Sequence, residues 1–173
     1  MTTLMSVLLT QRSAERIRRQ DHERADRHRL EDRHHARDSQ LLEERQKLYA
    51  TLNAAARTAR DALVSCRNEV KETGTIDTET LAALDSAWTA YVAKHAEAHM
   101  AVSDEVLNEL GSVNGSLRQM HRLTKKLNQG ASDRQGILTE FDRRADELWS
   151  RLASLRDAMR KDLGITGTEH RSL

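Results

Sequence analysis

Between Leu41 and Val70 the chain repeats an apolar step that only a packed helix can use. Leu41, Leu48, Ala55 and Ala62 return every seven residues, and Leu52, Ala59 and Cys66 fill the alternate step, with Arg45 as the polar exception. This 3-4 spacing places them in one line on an α-helix, and Leu42, Tyr49, Ala56, Leu63 and Val70 widen the line into a stripe. Such a stripe is expelled from water and demands partner helices. Proline, the strongest helix breaker, is absent from all 173 residues, so nothing forces the helices to be short.

Two later stretches supply the partners. Asp77 suits an N-cap, and Ile76 and Leu81 then occupy hydrophobic-staple positions. From there Leu84, Trp88, Tyr91, His95, Ala98, Val102, Val106 and Leu110 form a stripe. Gly111, Asn114 and Gly115 interrupt it in composition, yet Val113, Leu117, Met120 and Leu127 keep its register, so the helix either runs on to Asn128 or breaks at 111–115. A capping-box pair, Ser132 and Gln135, opens a third helix with Ile137, Phe141, Ala145, Leu148, Leu152, Leu155, Met159 and Leu163 on its apolar side. Gly74, Gly130 and Gly164 fit the stops. Short connections make neighbours antiparallel.

The expected architecture is all-α: a long-helix, antiparallel, coiled-coil-like bundle of three helices, four if the second breaks at 111–115, with the first helix extended as a polar rod. Four regions follow: an apolar N-terminal end over 1–11, a charged Arg/His/Glu rod over 12–40, the bundle over 41–165 and a loose tail over 166–173. Leu48, Leu52, Trp88, Tyr91, Val102, Phe141, Leu148 and Leu152 are expected in the core.

The rod holds nine arginines, four histidines and seven acids, with Ile17 and Leu30 as its large apolar residues. Glu15–Arg19 and Glu23–Arg27 are spaced i,i+4 in the favourable order, and each pair contributes about 0.3–0.5 kcal/mol when exposed. A helix that is polar all round and laced in this way can stand in solvent. Ahead of it, Leu4, Val7, Leu8 and Leu9 form an apolar end too short to span a bilayer, which takes about 20 residues. Arg12, Arg16, Arg18 and Arg19 follow at once, a pattern like the cytoplasmic edge of a membrane anchor. These eight residues are the membrane-proximal candidates. The N-terminal end, the rod and the following LLEERQKLYATLNAAAR together resemble membrane-tethered helical proteins of high-GC bacteria. The resemblance covers residues 1 to 65 in texture and implies no mechanism.

Reactive constellations are scarce. His95 and His99, in HAEAH, stand at i,i+4 and can reach one metal from one helical face. The zinc-protease pattern needs Glu directly after the first histidine; here Ala96 stands there, and no third ligand is evident. A core-edge histidine pair is the preferred reading. Glu31 and His34 make a lone ExxH, whereas carboxylate-bridged di-metal bundles need two. Asn114-Gly115-Ser116 matches a glycosylation sequon, a pattern short enough to arise by chance. No phosphate-binding loop or activated nucleophile occurs, and Cys66, the single cysteine, lies on the seam as a small apolar residue.

No catalytic residue, cofactor or resident metal is expected. The chain reads as a non-enzymatic helical interaction or scaffold module, oligomeric and tethered at a membrane. Its partners are a second copy or another helical protein, with weak contact to anionic lipid, and its place is the cytoplasm at the inner membrane face. The alternative is a nucleic-acid binder using the Arg-rich helix 12–37, although 28 basic and 27 acidic residues leave no global field to attract phosphate. A metal-dependent protein at His95/His99 is the third class.

Overall fold

The computed structural model describes residues 2–165, with side chains described from Arg29 onward except Leu30. The chain divides into two units, Met1–Glu43 and Glu44–Leu173. Four helices follow in order: α1 (Thr2–Thr73), α2 (Thr78–Ala98), α3 (Asp104–Asn128) and α4 (Arg134–Asp162). No strand occurs among the described residues, so the protein is all-α. In the first unit, each described side chain from Glu31 to Glu43 is exposed.

The second unit is a four-helix bundle whose neighbours run antiparallel, as cross-helix contacts show. On α1 and α4, Tyr49 donates to Asp162 at 2.5 Å while Arg67 and Lys71 reach Asp142, at 2.6 and 2.9 Å. Rising numbers on one helix thus meet falling numbers on the other. The same inversion pairs Glu105 with Lys161 and Ser112 with Arg151 between α3 and α4. Between α2 and α3 it pairs Trp88 with His121 and Tyr91 with Asn114. The α1–α2 corner is tied by the Asp77 N–H, which donates to Glu69 at 2.9 Å.

Three seams are aliphatic heptads. On α1, Tyr49, Leu52, Ala56, Ala59, Leu63, Cys66 and Val70 are buried. On α3 the line is Val106, Leu110, Val113, Leu117, Met120, Thr124 and Leu127; on α4 it is Leu138, Phe141, Leu148, Leu152, Leu155 and Met159. Thr124 is tolerated because its hydroxyl donates to the Met120 carbonyl at 3.1 Å. All four helices contribute to one core.

Several expectations shift. The α1 stripe is centred one step over from the line Leu41–Leu48–Ala55–Ala62: Ala55 and Ala62 are half-buried. Leu41 and Leu42 are 50% and 42% exposed. A helix flanked by two neighbours buries the strip between them, and here that strip runs through Leu52, Ala59 and Cys66 on one side and Ala56 and Leu63 on the other. The expected core is buried except for Trp88 and Val102, which are half-buried and packed against it.

The second stretch does break into two helices, but at 99–103 rather than 111–115. Gly111 and Gly115 lie on the exposed side of α3, and a Cβ at either would meet nothing within 4 Å. They cost helix propensity only, while the buried side holds the helix together. At the actual break, Ser103 takes an extended N-cap conformation (φ −71°, ψ 160°) and Asp104 and Glu105 occupy the first turn of α3, where the helix dipole favours acids. Met100, 87% exposed, marks the corner.

The start of α4 also moves by one residue. Asp133, not Ser132, is the N-cap, and its carboxylate accepts from the Gly136 N–H at 2.9 Å. A Cβ at Gly136 would collide with that carboxylate, so glycine lets Asp133 fold over the first turn and displaces the Ser132–Gln135 box. Asp77 caps α2 as expected, accepting from Thr80 N–H at 2.6 Å. Gly74, Gly130 and Gly164 all have positive φ at helix ends.

Candidate functional site

The polar groups with most unusual surroundings lie where α2 packs on α3. Helical spacing lines up Trp88, Tyr91, His95 and His99 on one side of α2, at steps of three and four. Successive rings touch: Trp88 and Tyr91 centroids are 5.8 Å apart, Tyr91 and His95 5.9 Å, and His95 and His99 4.7 Å with planes tilted by 54°. From α3, His121 stacks flat on Trp88, at 4.3 Å and 4°. Tyr91 is fully buried, and its hydroxyl donates to Asn114 Oδ1 at a long 3.4 Å. The sequon asparagine is thereby half-buried in α3 and occupied by an internal partner.

Burial governs the electrostatics here. It depresses the His95 pKa, with His99 and Arg118 adding like-charge pressure. His121 is lowered by burial and by Lys125, against a smaller opposing pull from Asp85. Both shifts favour the neutral ring. The Nε2 atom of His95 is buried without a hydrogen-bond partner. Burial also pushes the Tyr91 hydroxyl above its ordinary range. Beside the stack, a shallow groove of about 310 Å³ is lined by Leu84, Asp85, His121, Thr124 and Lys125, among others. Open on one side and mixed in polarity, it has the walls of a packing seam rather than of an enclosing ligand site.

The other candidates are dispersed. Glu31 and His34 are exposed in the first unit. No group of three or more His, Cys, Asp or Glu side chains is gathered for a metal among the described residues. Cys66 is buried, and burial, followed by the nearby Glu69, pushes its thiol up to about 11. The thiolate that a nucleophile would need is thus suppressed. The side chains of Leu4, Val7, Leu8, Leu9, Arg12, Arg16, Arg18 and Arg19 lie outside the described residues. No helix is long and apolar enough to cross a membrane among the described residues.

Sequence reasoning missed the polar ties of α4. Asp142 and Asp162 each gather cations or hydroxyls from α1. Burial alone would raise both carboxyls. Hydrogen bonds from Lys71 and Arg67 to Asp142, and from Tyr49 and Ser103 to Asp162, outweigh it and lower both. Also missed was Trp149, 55% exposed, with the Arg60 guanidinium stacked 3.8 Å over its ring. Charged residues at stripe-flanking positions signal such ties only once the neighbouring helix is known. Comparison of the chain with protein-family models, curated proteins and solved structures gives no match to any of them.

Proposed function

We propose that the protein is a non-enzymatic helical interaction module that works by associating with a second copy of itself or another helical protein. The observation that carries this reading is the exposure of Leu41 and Leu42, at 50% and 42%, in a segment whose described side chains are otherwise polar, apart from Ala36. Adjacent leucines on a helix leave an apolar strip that a partner helix can cover. Residues 29–47 carry five basic and five acidic side chains, which suits paired charges across a helix–helix contact better than a phosphate backbone.

Sedimentation of the full chain over a concentration series tests the self-associating form. Concentration-dependent dimers or higher species are expected, and Leu41→Glu with Leu42→Glu should return the chain to monomer without lowering its thermal stability. A chain that stays monomeric at all concentrations removes self-association and leaves a different helical partner. A membrane element is proposed alongside. Leu4, Val7, Leu8 and Leu9, followed by Arg12, Arg16, Arg18 and Arg19, combine a short apolar end with basic residues, the two signals needed for reversible attachment to anionic lipid. Co-sedimentation with anionic vesicles should be weak and salt-sensitive and should disappear when residues 1–10 are deleted. Equal sedimentation of both chains, or of neither, refutes it.

A further inference from the structure

We propose that His95 and His99 form a two-point binding site for a divalent zinc-like cation at the C-terminal end of α2. The His99 backbone remains right-handed helical (φ −55°, ψ −23°) although it caps the helix, so the i,i+4 geometry of the pair is kept. Two imidazoles on one tetrahedral ion, with metal–nitrogen bonds of about 2.0–2.1 Å, set their ring centres about 5 Å apart. The observed separation is 4.7 Å with the planes tilted by 54°, close to that value. The same pair in an unprepared helix would have to be gathered from separate rotamers.

The second observation is the orphaned nitrogen. Buried polar atoms nearly always have a partner, and His95 Nε2 has none. A cation held between the two rings would give that nitrogen a partner. Neutral imidazoles prefer zinc, nickel and copper to magnesium or calcium. The negative end of the α2 dipole adds attraction, and Arg118 subtracts from it. No third protein ligand is gathered among the described residues, so water fills the remaining positions. The site is therefore an exchangeable clamp on the last turn of α2, next to the break at 99–103, and not a catalytic centre.

The test is thermal unfolding of the EDTA-stripped full chain with and without excess zinc chloride at neutral pH. Zinc should raise the midpoint by roughly 3–8 °C, as a ligand that binds only the folded state does. His99→Ala should abolish the shift while leaving the metal-free midpoint nearly unchanged, since His99 is exposed. A chain with His22, His28, His34 and His35 replaced by alanine should keep the shift. No shift in the parent chain overturns the proposal. So does a shift that survives His99→Ala, or one that vanishes in the fourfold variant.

Discussion

The seam between α3 and α4 and the seam between α2 and α3 do the same job with different chemistry. Along α3 and α4, Val106, Leu110, Val113, Leu117 and Met120 face a line including Leu148, Leu152 and Leu155, all buried and without a hydrogen-bond requirement. Along α2, the matching positions hold Trp88, Tyr91, His95 and His99. These rings bring large contact area, but each polar atom among them must be satisfied or left at a cost. Tyr91 finds only a 3.4 Å partner, and His95 Nε2 finds none. The aliphatic seam is packed without polar cost, and the aromatic seam carries the groups whose burial lowers their pKa values.

Deleting a core side chain from each seam gives the largest contrast. Leu148→Ala should lower stability by about 2–5 kcal/mol, as expected for a leucine with no solvent exposure. Trp88→Ala should cost less, about 1–3 kcal/mol, because Trp88 is half-buried and part of its contact is a stack on His121. Chemical denaturation of both variants reads the difference. An equal cost would mean that α2 is held as firmly as α4 and would remove the asymmetry.

Polar satisfaction separates the seams on a finer scale. Tyr91→Phe should cost about 0.5–1.5 kcal/mol at most, toward the lower end for so long a bond. Thr124→Val, on the apolar line of α3, removes a hydroxyl that bonds only its own helix, and should be nearly neutral. If Tyr91→Phe proves stabilising, the buried hydroxyl is a burden and the Asn114 contact contributes nothing.

The fold was legible where burial alone decides and illegible where polar detail decides. Heptads in Leu and Ala announced all-α packing, and Asp77, Gly74 and Gly164 fell where capping chemistry puts them. The break at 99–103 was not legible: the kept register favours one continuous helix, and the alternative break falls on 111–115 because glycine is a strong compositional signal and a weak structural one on an exposed face. Ser103-Asp104-Glu105 marks a helix start equally well, but Val102 and Val106 keep the apolar rhythm across it. The Ser132 cap failed for a reason visible only in three dimensions: the room Gly136 leaves for Asp133. Of the candidate site, the His95–His99 pairing was readable from spacing, whereas His121 on Trp88 and Asn114 under Tyr91 depend on how α3 docks.

Acid should find the aromatic seam before the aliphatic one. His95 and His121 have folded pKa values below the ordinary histidine value, mainly through burial. Folding then binds fewer protons than unfolding, so their contribution is present above about pH 6.5 and is lost as pH falls through the depressed folded values. Solvent reaches both rings, which keeps the effect modest. Near-ultraviolet circular dichroism should change from pH 7.5 to 5 before helicity is lost, and His121→Gln should remove part of the change. The carboxylates behave in the same direction at lower pH. Asp142 and Asp162 are lowered despite their burial, so their ties persist to below the ordinary aspartate range and fail only there. A single transition below pH 4, with none above it, would show the histidines to be indifferent.

The smallest expected effect bears on where the aromatic seam ends and the regular seam begins. Gly111→Ala and Gly115→Ala should each stabilise the protein by about 0.5–1 kcal/mol, since both positions are helical, exposed and open to an added Cβ. The gain comes from the unfolded chain, which loses freedom with alanine, and from better helix propensity in the folded one. Ser112 lies between them and contributes its carbonyl to Arg151 at 3.0 Å, so the α3 backbone there is already braced from α4. If α3 instead turned at 111–115, as composition alone allows, the glycines would serve the turn and alanine would destabilise. Thermal midpoints of the two single variants and the double variant decide the matter. Additive increases place the whole of 104–128 in the regular seam, while a loss at either position moves the boundary and returns Gly111 to the role of a helix stop.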